Sequence, residues 1–128
     1  MFLTINSYRD LRVWQAGIAL AEKCYRLTKF FPRDELYGLV AQMRRAAVSI
    51  PANIAEGYGR DQLGSYLHFL RAAQGSLKEV ETHLILSERL GMTKEDETAP
   101  ILNDCEELGK MLRALIRKLE GRGEASRE

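Results

Sequence analysis

The sequence predicts an all-α fold, an antiparallel up-down-up-down four-helix bundle. Three observations carry that reading. Four long stretches repeat apolar residues at steps of three and four, as one helix face requires. Strand-like alternation is almost absent. The breaks between the stretches are short and contain Pro or Gly, so consecutive helices must run antiparallel. With 128 residues, 45% of them hydrophobic, the chain makes one domain able to bury a core without staples. Residues 1–120 are assigned to that domain and 121–128 to a polar, frayed tail.

The first stretch runs from about Tyr8 to Phe30. One stripe on it is Leu11, Trp14, Ile18, Ala21 and Tyr25; a second is Val13, Gly17, Leu20, Cys24 and Leu27. Two stripes exceed what one core-facing side of a small bundle uses, so the excess is either a wide core face or a subunit interface. Trp14, Leu20 and Leu27 are the residues assigned to that interface. Pro32 stops the helix, and Asp34 is placed to cap the next one.

The second helix carries Leu36, Leu39, Val40, Met43, Ala47, Ile50 and Ile54 on one side. Pro51 removes a backbone donor inside it and predicts a kink near 47–50. Gly57 is suited to a left-handed cap. The third helix is to start at an Asp61 cap and end near Leu90-Gly91. Small residues Ala72, Ala73, Gly75 and Ser76 sit mid-rod, where a Gly that costs up to ~1 kcal/mol suggests close approach by another backbone. The last helix has two candidate starts, a Thr93/Asp96 capping box or a first turn after Thr98 containing Pro100.

Composition narrows the chemistry. No run approaches the ~20 apolar residues of a membrane span. Met1 to Arg12 lacks a basic-then-apolar signal layout, which makes the cytoplasm the expected compartment. Cys24, His68, His83 and Cys105 have no metal-ligand spacing, and no metal or cofactor is expected. The serines lack a nucleophile elbow. Lys78 and His83 stand five apart on one helix, the pattern by which a helical ribonuclease would stabilise a phosphorane and shuttle a proton; two residues on a solvated face is the plainer reading. The chain is therefore expected to be non-catalytic.

A formal net charge of +1 hides a gradient. Residues 1–78 hold eleven Lys or Arg and six Asp or Glu; residues 79–128 hold eight and twelve. Separation of sign can give a nearly neutral protein one basic face. Within the second helix Gln42, Arg45, Ser49, Asn53 and Glu56 recur every three or four positions. They read either as a buried network, with Arg and Glu linked through Ser and Asn, or as a recognition surface.

That helix lies in the run QMRRAAVSIPANIAEG at 42–57. Together with YRDLRVWQ at 8–15, FPRDE at 31–35, YLHFL at 66–70 and GSLKEVE at 75–81, it resembles the S23 ribosomal-protein-like family, whose members are encoded in intervening sequences of 23S rRNA genes. The resemblance implies a four-helix bundle assembled as a homopentameric ring. It also implies a distant kinship with the accessory variability proteins of diversity-generating retroelements, which bind nucleic acid and partner a reverse transcriptase. No catalytic residues are established for the family. On the basic first part and this resemblance together, RNA or DNA is the expected partner, with Arg9, Arg12, Arg44, Arg45 and Arg60 as phosphate contacts. A protein–protein adaptor without nucleic-acid binding is the alternative.

Overall fold

A computed structural model describes the backbone of residues 5–127 and the side chains through Gly123. Residues 1–4 and Glu128, which the domain and tail assignments include, lie outside the described residues. Among those described, the chain is all helical and has no strand. Its four long helices are α1 (Arg12–Thr28), α2 (Ala41–Tyr58), α3 (Leu63–Arg89) and α4 (Glu95–Arg127).

Side-chain registers fix the arrangement. Gly17 of α1 lies against Ile50 and Pro51 of α2, whereas Arg44 reaches Thr28; as one number rises the other falls. Gly57 of α2 meets Tyr66 and Phe69 of α3, Gly109 of α4 faces Leu77 of α3, and Lys23 of α1 pairs with Asp104 of α4. Each helix is therefore antiparallel to its sequence neighbours, and α4 returns to α1. The core between them holds Leu20, Met43, Ile50, Ile54, Leu70, Leu77, Leu84, Leu108 and Leu112, all fully buried. Each such side chain contributes about 1.5–3 kcal/mol by leaving water. These residues are the periodic positions of the sequence, so the apolar stripes alone select the inward faces.

The helix ends differ from expectation in instructive ways. Residues 8–10 form a separate 3-10 turn, because Ser7 and Asp10 make a capping box that closes before α1 begins. Glu35, not Asp34, caps the next segment, accepting from Leu39 N at 3.1 Å. Leu36–Val40 is a π-helical turn, with Gly38 at φ −103, ψ −111. A Cβ at Gly38 would lie 2.9 Å from the Glu35 carboxylate. The irregularity that Pro51 was expected to impose thus falls a dozen residues earlier, and α2 runs unbroken through Pro51.

Gly57 is an interior residue of α2, and α2 ends at Gly59 with ordinary right-handed dihedrals. What Gly57 supplies is room: an added Cβ would stand 2.7 Å from Phe69 Cβ and 3.2 Å from Tyr66 O. The left-handed cap occurs instead at Gly91 (φ 78), where Met92 N donates to Ser87 O at 2.9 Å. Asp61 does not cap α3, whose N-cap position is Gln62 without a side-chain bond. Gly75, expected at a close backbone contact, is open, with nothing within 4 Å of an added Cβ. The start of α4 falls between its two candidates. Glu97 accepts from Lys94 N at 3.1 Å and from the Thr93 hydroxyl, and Pro100 follows in the second turn. At the other end α4 continues to Arg127, so the residues assigned to a frayed tail extend the helix.

The two glycines predict opposite outcomes. Gly57→Ala forces α2 away from Phe69 and costs about 1–3 kcal/mol in urea unfolding. Gly75→Ala, in an exposed helix interior, adds up to about 1 kcal/mol.

Candidate functional site

Because the helices alternate in direction, the start of α1, the end of α2, the start of α3 and the end of α4 gather at one end of the bundle. Residues 5–19, 51–72 and 111–123 make up this end. They contain Arg9, Arg12, Arg60, Arg71, Arg113, Arg117, Lys118 and Arg122 against Asp10, Glu56, Asp61 and Glu120, a balance of +4. The opposite end, residues 20–50 and 73–110, holds ten cations and twelve anions, a balance of −2. The separation of sign along the chain persists along the bundle axis, with a smaller swing. Helix α4 produces the difference: its first turn holds Glu95, Asp96 and Glu97, and Arg117, Lys118 and Arg122 come near its other end. This order also suits the helix dipole.

The five arginines assigned to phosphate contacts divide between the two ends. Arg9, Arg12 and Arg60 stand at the basic end. Arg9 lies over the Tyr8 ring at 5.6 Å, and Arg60 pairs with Glu56 at 3.0 Å while covering Phe69 at 5.0 Å. Arg12 is exposed and forms no ion pair with a described residue. Arg44 and Arg45 lie about 20 Å away along α2, at ~1.5 Å per residue. Arg44 is half-buried and joins two helices: its Nε donates to Thr28 Oγ1 at 2.9 Å, and its guanidinium sits 4.6 Å from the Tyr25 ring centre. It is a packing residue with little left to offer a phosphate. Arg45 is exposed.

The polar series on α2 is not a buried network. Gln42, Arg45 and Glu56 are exposed. Ser49 donates to Ala46 O at 2.7 Å, Asn53 to Ser49 O at 2.7 Å, and Glu56 turns to Arg60 rather than Arg45. The reason is rotational: this stripe lies beside the apolar one on the side of α2 away from the core. The interface assignment also changes. Leu20 and Leu27 are 1% and 9% exposed and belong to the core. Trp14 alone of the three keeps surface, half-buried and edge-on to Tyr8 at 5.2 Å. Apolar surface is greater near the α1–α2 turn, where Phe30 is 84% and Tyr37 is 92% exposed, with Leu36 beside them.

Lys78 pairs with Glu81 at 3.2 Å, and His83 is half-buried one turn beyond it. Lys78 lines a shallow groove with Gly75, Gly109 and Arg113, and His83 is not among the lining side chains. No cluster of three or more His, Cys, Asp or Glu suited to a metal occurs among the described residues, and no helix there is long and apolar enough to cross a membrane. Cys24 and Cys105 are free thiols in the core.

A family model of 23S rRNA-intervening sequence proteins matches residues 9–114. The chain belongs to this family. A crystal structure of an S23 ribosomal protein family member of unknown function from Bacteroides thetaiotaomicron VPI-5482 is similar to the chain. The two share 23% sequence identity and a TM-score of 0.73 over 81% of this chain and 97% of that one. At that identity the likeness extends to the fold. No protein of curated function matches. The intervening-sequence family match stops at residue 114, before Arg117, Lys118 and Arg122. Those cations escaped sequence reasoning because they sit in the net-acidic part of the chain. A charge count taken by helix end would have found them.

Two outcomes test this account of the interior. Arg44→Met loses a charge-assisted hydrogen bond and a ring contact, and costs about 1–2 kcal/mol in stability; Arg45→Met stays within about 0.5. Burial pushes both thiols up from 9.0 to about 12, with neighbouring charged groups acting on Cys105 as well. A folded-state pKa above the unfolded one means stability is full below pH 9 and falls as pH rises toward 12, since the unfolded chain releases the protons first. Urea midpoints measured from pH 8 to 11 should fall, and fall less steeply in the Cys24→Ala, Cys105→Ala double variant.

Proposed function

We propose that this protein is a non-catalytic, self-associating bundle that binds RNA or DNA through phosphates at its basic end. The observation that carries the reading is the balance of +4 at that end, with cations from α1, α4 and the α2–α3 connection brought together. Arg9, Arg12, Arg60 and Lys118 are the contacts; Arg44 and Arg45, at the opposite end of α2, are removed from the set. Phosphate recognition needs only fixed cations within reach of a regular array of charges. The helices hold theirs on rigid backbone. Membership in the 23S rRNA-intervening sequence family accords with a nucleic-acid role.

The apolar surface that each chain leaves uncovered supports assembly. Phe30, Leu36 and Tyr37 project near the α1–α2 turn, at the end opposite the basic one. Pairing such residues between copies would leave the basic ends free, and a homopentameric ring would repeat each of them five times. Multivalent attachment raises avidity well beyond that of a single site.

Binding to a structured RNA is measured across a salt series by anisotropy, beside light scattering for mass. Affinity should fall linearly on a logarithmic salt axis, with a slope close to −0.9 per phosphate neutralised on a duplex. The Arg12→Glu, Lys118→Glu pair should weaken binding at least tenfold and flatten the slope; Arg44→Met should leave the slope unchanged. A mass of five chains supports the ring, and a 14.6 kDa monomer removes it. Absence of binding at low salt overturns the nucleic-acid reading.

A further inference from the structure

The basic end also contains an apolar groove whose walls phosphate binding does not use. A groove of about 670 Å³ opens between the N-terminal turn, α1, the Tyr58–Tyr66 corner and α4. Its size falls within the range of pockets that take small organic ligands, roughly 300–1,000 Å³. The walls are mainly aliphatic: Leu11, Val13, Met111, Leu115 and Leu119. Tyr58 and Tyr66 stand edge to face at 6.1 Å and add an aromatic wall with hydroxyl tips.

The same groove has charged lining residues of mostly one sign. Arg12 and Lys118 line it, and neither makes an ion pair with a described residue; Arg122 lines it as well. The acid among the lining residues, Asp10, is already engaged by Asn6 N at 2.9 Å and Ser7 N at 3.2 Å. An apolar trough with cations along it is complementary to a molecule with a long apolar part and one anionic head. A nucleotide fits less well, since the aliphatic walls of Leu11, Val13, Met111, Leu115 and Leu119 have no counterpart in a polar sugar and base.

From this juxtaposition we infer that the groove binds an amphipathic anion, a long alkyl chain bearing a carboxylate or phosphate head. The alkyl chain lies along Leu11, Leu115 and Leu119, and the head meets Arg12 and Lys118. Free fatty acid and alkyl phosphate share this chemistry. The inference does not rest on nucleic-acid binding, and it would give the basic end a second ligand that competes for two of its cations.

Calorimetric titration of the full chain with dodecanoate, dodecyl phosphate and dodecanol, each below its micelle concentration, tests it. One saturable site per chain is expected for at least one of the two anions, with dodecanol at least tenfold weaker; the stronger anion identifies the head. Ala114→Trp, which fills the groove from an exposed position on α4, should reduce binding at least tenfold. Lys118→Glu should reduce it several-fold, with circular dichroism showing both variants folded. Inorganic phosphate alone should not displace the ligand. The inference is overturned by absence of saturable binding to the folded protein, by equal binding of dodecanol, or by unchanged affinity in Ala114→Trp. One ligand per two chains makes the groove a contact between copies, and displacement by a nucleoside monophosphate at equal concentration makes it a base pocket; either result overturns it.

Discussion

The structure depends on how closely α2 is held between its neighbours. At Gly17 the backbone of α1 faces Ile50 and Pro51, where an added Cβ would stand 3.4–3.5 Å away. At Gly57 the fit against Phe69 leaves no space for a methyl group. Of the two, Gly57 is the tight approach; at Gly17 the helices meet at ordinary van der Waals distance. Sliding α2 by a turn would bring a residue with a Cβ to the place of Gly57, against Phe69. An interior packed at crystal-like density resists that change.

This register decides what meets at each end. Arg44 can reach Thr28 and Tyr25 only because α1 and α2 overlap as Gly17 and Pro51 allow. The same overlap brings Arg60 to the end that carries Arg9 and Arg12, and the antiparallel return of α4 adds Lys118 and Arg122. Single ion pairs on the surface contribute little to stability. Their arrangement matters here because the net charge is polar along the axis, and a net positive end attracts anions. A charge sum near zero therefore says little about this molecule's electrostatics.

The basic end and the apolar groove share Arg12 and Lys118, which couples any ligand of one to any ligand of the other. A cation engaged by the head of an alkyl anion is withdrawn from a phosphate. Linkage requires each ligand to weaken the other by the same factor. At the opposite end, Phe30, Leu36 and Tyr37 leave apolar surface where the acidic start of α4 also lies. The two ends thus differ in net charge, and the rigid helices between them keep the two apart.

Much of this was legible in the chain. Helix periodicity marked the four helices and nearly all of the core, since the step of three and four is a property of local backbone geometry. Gly91 and the capping chemistry near Thr93 were legible for the same reason, although the capping acid proved to be Glu97. Tertiary structure decided what periodicity cannot see. Whether Leu20 faces a core or a subunit, whether Arg45 is inside or outside, and whether Gly57 serves a turn or a contact all depend on how far a helix is rotated toward its neighbours. Lys118 joined the basic end for that reason too: charge near the end of the chain meets charge near its beginning only when the bundle closes.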